Sequence, residues 1–128
     1  MLDERLIAPV LSQPSLPLPF GKKRKKSIGI SNADLEVVKN RVDNGVCILG
    51  LRFSNDSMAP SERFARLHEE FGDGFVSVEI DSSPGNTHGI STRAHSVLTE
   101  ESVDEPGHPT FEALKLVLEH LKEKLIVI

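Results

Sequence analysis

These 128 residues predict an α/β layered fold with a parallel sheet and flanking helices. Three observations predict it. Helical and strand-like periodicities alternate along the chain. One strand-like run, Val46-Cys47-Ile48-Leu49-Gly50-Leu51, is apolar almost without interruption, as in a strand covered on both faces. The polar loops that hold an acid and two histidines follow strand-like segments, and open α/β sheets gather their ligands beyond the C-terminal ends of their strands.

Taken in order, residues 6–18 are apolar but broken by Pro9, Pro14 and Pro17. Leu6-Ile7-Ala8 and Val10-Leu11 suit a short strand, and the prolines make the rest a loop. Residues 20–30 form a basic, glycine-containing connection. Ser31 is placed to cap a helix, with Asp34 three residues on and Leu35, Val38 and Val42 at helical spacing. Asn44-Gly45 supplies its stop. The apolar strand from Val46 ends at Ser54-Asn55-Asp56-Ser57. Pro60-Ser61-Glu62 opens a second helix with Phe64, Leu67 and Phe71 on one side, and Gly72-Asp73-Gly74 closes it. Residues 75–80 alternate, putting Val76, Val78 and Ile80 on one face. A long aperiodic loop, residues 81–94, follows, and loops of that length in small domains are often functional. Thr110 is the expected cap of a last helix with an apolar stripe of Phe111, Leu114, Leu118, Leu121 and Leu125.

Composition bounds what such a chain can do. An apolar fraction of 38%, six Phe and no Trp or Tyr make a thin core. Three strands also leave sheet edges that need covering or pairing. The net charge of −4, with both signs mixed along the chain, offers no broad basic face for nucleic acid or a membrane surface. The exception is Lys22-Lys23-Arg24-Lys25-Lys26, read as a solvated loop or as a localisation or polyanion-binding patch. No stretch reaches the 18 or so apolar residues that span a bilayer, and the acidic start, Asp3 and Glu4, is unlike a signal peptide. Cys47 is the single cysteine; set in an apolar run, it reads as a buried, inert thiol compatible with a reducing cytoplasm.

The expected chemistry is that of a carboxylate orienting a histidine. Asp56 leaves one strand end, while His88 and His95 lie in the loop that leaves the next. A carboxylate so placed fixes the imidazole tautomer, and the free ring nitrogen handles the proton of a hydroxyl or thiol nucleophile. His68 and His120 read as helix surface residues, and His108, before Pro109, as a turn residue. No compact metal-ligand spacing such as HExxH or CxxC occurs, nor a GxGxxG or GxxxxGK[ST] phosphate loop. Neither metal nor cofactor is expected. The GxSxG of a serine nucleophile elbow is also missing.

The string Gly50-Leu51-Arg52-Phe53-Ser54-Asn55-Asp56-Ser57-Met58-Ala59-Pro60, continued by Glu62-Arg63-Phe64, resembles the late strand and acid loop of dienelactone-hydrolase-like proteins, a branch of the α/β-hydrolases. Val78-Glu79-Ile80-Asp81-Ser82-Ser83-Pro84-Gly85-Asn86 and Ala94-His95-Ser96-Val97-Leu98-Thr99 resemble the last strand and histidine loop. Ala8-Pro9-Val10-Leu11-Ser12-Gln13-Pro14 looks like the strand after the nucleophile helix. The likeness covers nearly the whole chain but only the second half of that fold.

That resemblance implies a partial α/β-hydrolase fold whose N-terminal half is missing: residues 1–30 a short strand with a Pro-rich and basic linker, residues 31–128 the helix–strand–helix–strand–loop–helix portion. It implies Asp56 as the triad acid and His95 as the histidine, with His88, followed by Gly89, as the alternative. The nucleophile, its elbow and the oxyanion loop would lie upstream of Met1. The implied function is hydrolysis of a small carboxylic ester or lactone through an acyl-enzyme, with this chain inactive alone. Its partner would be a nucleophile-bearing half or a second copy, with no nucleic acid and no membrane. The alternative is a catalytically inactive remnant serving as a protein-interaction module.

Overall fold

The apolar run becomes the centre of the sheet. In a computed structural model, which describes residues 1–125, β1 (Val10–Ser12), β2 (Ile48–Phe53) and β3 (Phe75–Ile80) form one sheet in the order β1-β2-β3. The last three positions of the 31–128 segment lie outside the described residues. Both pairings are parallel, with Val10 opposite Leu49 and Ile48 opposite Phe75. All six residues of β2 are buried, as a central strand covered on both faces requires. The expected start at Val46 is two residues early, because Val46 and Cys47 precede the first strand residue.

The chain covers the sheet on both sides. Helix α2 (Asn32–Asp43) starts where expected: Ser31 Oγ accepts from the Asp34 amide at 3.1 Å. Helix α3 (Ser61–Phe71) follows Pro60. Leu35, Val38, Phe64, Leu67 and Phe71 pack with Ile48 and Phe75 on one side of the sheet. Helix α4 (Pro109–Leu125) and the long loop cover the other, where Leu49, Leu51, Phe53 and Ile80 meet Ala94, Val97, Ala113 and Val117. The side chains of β2 divide between these layers by simple alternation. Gly50 is required where the α3 layer crosses β2: a Cβ there would sit 2.6 Å from the Phe75 ring and 3.1 Å from that of Phe64.

Several expectations need correction. The buried face of α4 is Ala113 and Val117, with Leu121 packed beside them, whereas Leu114, Leu118 and Leu125 are exposed. Two apolar stripes run along this helix, and a three-stranded sheet covers only one. The small residues at 113 and 117 let the helix axis approach the strands. Thr110 lies inside the first turn and does not cap it. Its amide donates to His108 Nδ1 at 3.2 Å, and its hydroxyl accepts from the Val103 amide at 2.9 Å. The alternation of β3 is graded: Ile80 is buried, Val78 half-buried and Val76 exposed, as befits an edge strand whose start runs past the end of the covering layer. The basic connection contains a short helix, α1 (Lys22–Lys26). Cys47 is half-buried and sits before β2, not inside it.

His120 is likewise more than a surface residue. It is half-buried on α4, and its Nε2 is enclosed without a hydrogen-bond partner among the described residues. Burial and then Lys124 push its pKa below the ordinary histidine value of 6.5, against weaker opposition from Glu123 and the Pro9 carbonyl. A base with a depressed folded-state pKa binds fewer protons folded than unfolded. Its contribution to stability is therefore complete above pH 6.5 and lost as pH falls through the folded-state value. The urea midpoint should fall between about pH 7.5 and about pH 5.5, and His120→Gln should fall less. Equal losses in the two proteins would show that His120 does not set this dependence.

Candidate active site

Parallel pairing brings the C-terminal ends of all three strands to one edge of the sheet, and three loops meet there. Gln13 follows β1, its amide donating to Leu51 O at 2.8 Å. Asp56 lies three residues beyond β2. The loop after β3 returns over the same edge to His95.

The central contact is between Asp56 Oδ2 and His95 Nδ1, 2.5 Å apart. The acid side chain is 4% exposed and the histidine 40%. The second carboxylate oxygen, Oδ1, accepts from the Met58 amide at 3.0 Å and the Ala59 amide at 3.4 Å. Asp56 is thus held by its own turn while one oxygen remains for the ring. With Nδ1 protonated and donating to the carboxylate, Nε2 carries the lone pair.

The two loops are latched to each other. The Asn55 amide donates to Ser82 Oγ and the Ser82 amide to Ser54 Oγ, both at 2.9 Å, with Ser82 fully buried. The Asn55 side-chain amide donates to Thr92 O at 2.8 Å. Asn86 braces the histidine loop internally. It donates to Ser83 O and Ile90 O, and its Oδ1 accepts from the Ile90 amide at 2.9 Å. Ala94 and Val97 then anchor the histidine on either side in the α4-side core. The Val97 amide also reaches Gln13 Oε1 at 3.4 Å, tying the third strand end to the same place. Asp81, at the head of this loop, is a turn anchor: the Ser83 hydroxyl and amide hold its carboxyl below the ordinary aspartate value.

Beneath Asp56 lies Arg52, a supporting residue not singled out from the sequence. It is buried in β2, pairs with Glu79 of β3, and donates to Ala59 O at 2.8 Å, Ser54 O at 3.2 Å and Asp56 O at 3.5 Å. Its signal was present: a lone cation in a fully apolar strand must find buried acceptors. Ser54, Asn55, Asp56 and Ser57 line a small polar cleft of about 230 Å³ with Arg52 and Lys25.

The remaining candidates lie apart. His88 is exposed and packs edge-to-face on His108, ring centroids 5.3 Å apart, without a hydrogen bond to Asp56. His68 bonds Ser77 Oγ at 2.9 Å. Cys47, preceding β2, is at the far end of the strand from Asp56, and neither it nor any serine among the described residues hydrogen-bonds to His95. Among the described residues no group of three or more His, Cys, Asp or Glu side chains is arranged to hold a metal ion, and no helix is long and apolar enough to cross a membrane.

The fold and site therefore define a small three-stranded parallel α/β unit with a buried aspartate on a half-exposed histidine at the C-terminal sheet edge. Comparison with protein-family models, curated proteins and solved structures finds no match to the chain.

Proposed function

We propose that this chain supplies the acid and histidine of a nucleophile–His–Asp site that hydrolyses a small carboxylic ester or lactone, as its resemblance to dienelactone-hydrolase-like proteins implies. The observation that supports the proposal is the Asp56–His95 contact, made by the acid and the first-choice histidine that the resemblance implies. In that role Asp56 holds His95 in the Nδ1–H tautomer. His95 Nε2 takes the nucleophile's proton and later returns it to the leaving group. The nucleophile and the oxyanion donors come from outside these residues, since the chain has no nucleophile elbow and His95 no hydroxyl or thiol partner. The outer edge of β1, paired on its other side to β2, is the natural seat for a further parallel strand.

The purified chain should not hydrolyse p-nitrophenyl acetate faster than buffer. Mixed with a nucleophile-bearing half that ends before the strand equivalent to β1, it should form a complex that does. Turnover by the chain alone, abolished by Asp56→Asn, would contradict the division of the site.

A second reading, an inactive remnant that binds a protein partner, is favoured by the exposed Leu114, Leu118 and Leu125 of α4 and by the outer edges of β1 and β3, which no strand among the described residues pairs. Under this reading the complex forms and no ester is turned over.

A further inference from the structure

Leu16, Leu18 and Phe20 are 74%, 41% and 70% exposed, and they lead straight into the five cations of α1. Single exposed apolar residues are ordinary on a protein surface. Three alternate ones beside five consecutive cations call for a physical reason.

Arg63 shows how the segment is presented. Its side chain is fully buried in α3 and meets no carboxylate among the described residues. Its Nη2 donates to Pro17 O at 2.5 Å and to Arg24 O at 3.0 Å, so the two ends of this stretch close on one nitrogen. Nε and Nη1 take Ser27 O and Pro14 O, at 2.8 and 2.7 Å. Between Pro17 and Arg24 lies the tip of this loop, with Leu18, Phe20, Lys22 and Lys23 all exposed. Only Lys25 of the five cations is half-buried; it lines the cleft shared with Asp56.

Few surfaces reward both halves of this tip. A nucleic acid takes the cations but gains nothing from exposed leucines, and one phenylalanine is a single stacking platform. An apolar protein groove takes Leu and Phe, and takes the five charges only where an extended acidic surface adjoins it. The surface of an anionic bilayer takes both, with lysines among the headgroups and the apolar side chains at the acyl boundary. We propose that residues 16–26 form a docking loop for an anionic phospholipid membrane surface. Peripheral docking needs no spanning helix. The chain's net charge of −4, despite these five cations, makes the rest of the molecule acidic, so this loop is the face that such a surface attracts.

The test is flotation of the whole chain with vesicles of phosphatidylcholine alone and of phosphatidylcholine mixed with phosphatidylserine. The chain should float with the mixed vesicles and not with the neutral ones. Lys22→Gln with Lys23→Gln should weaken partitioning about fivefold for each cation removed, and Phe20→Ser should weaken it comparably. Lys115→Gln with Lys122→Gln on α4 should leave it unchanged. Circular dichroism should show every variant folded, since the altered side chains are exposed. No flotation with mixed vesicles would overturn the proposal. So would lysine-dependent binding that ignores both Phe20→Ser and Leu18→Ser and is matched on heparin, because that describes a plain polyanion contact. Equal weakening by the α4 pair would overturn it as well.

Discussion

Asp56→Asn should lower the kcat of the enzyme assembled from this chain and a nucleophile-bearing half by about 10⁴-fold, with KM little changed. The asparagine fits the same turn, and its Oδ1 can still accept from the Met58 and Ala59 amides. What it loses is the anionic acceptor opposite His95 Nδ1. The ring is then free to put its proton on Nε2, where a general base needs a lone pair, and the imidazolium formed during reaction loses its counter-charge. His95→Ala should cost at least as much, and the double variant no more than the worse single one, because the pair acts as a unit. Single-turnover and steady-state kinetics check this. A loss below about tenfold for Asp56→Asn would show that the contact does not serve the reaction.

The second large effect is structural. Arg63→Ala should destabilise the fold by about 3–5 kcal/mol, a large share of the roughly 5–15 kcal/mol that holds a domain folded. Four backbone carbonyls, from Pro14, Pro17, Arg24 and Ser27, would lose a common donor. Burial pushes the guanidinium below the ordinary arginine value, and its hydrogen bonds go to these backbone carbonyls. Arg63→Lys keeps the charge but not the planar fork, and should recover only part of the loss. Urea unfolding followed by circular dichroism decides it. A change under about 1 kcal/mol for Arg63→Ala would mean that the loop stays closed without it.

Much of this architecture was legible because local signals and tertiary demands agree. Ser31 with Asp34, Asn44-Gly45 and Pro60 mark helix ends that the structure keeps. The unbroken apolar run around Leu49 belongs to a central parallel strand, and Asp56 and His95 follow the strand ends that parallel pairing brings to one edge. Spacing alone could not separate His95 from His88. The difference lies in Ala94 and Val97, which enter the core and carry His95 inward, while the Asn86-braced turn leaves His88 outside. The leucine spacing of α4 points mostly to its outer face, because close approach to the sheet favours the smaller side chains of Ala113 and Val117. Arg63 is different again. Its partners are all backbone carbonyls from distant parts of the chain, which leave no complementary charge in the sequence.

The most direct measurement on the central claim is the tautomer of the His95 ring, read from its two ¹⁵N chemical shifts at a pH where the ring is neutral and assigned against His95→Gln. Asp56 beside Nδ1 predicts a proton on Nδ1 and a bare Nε2, with Asp56→Asn moving the proton to Nε2. A native ring protonated on Nε2, or an Nδ1–H signal unmoved by Asp56→Asn, would contradict a base held ready by Asp56.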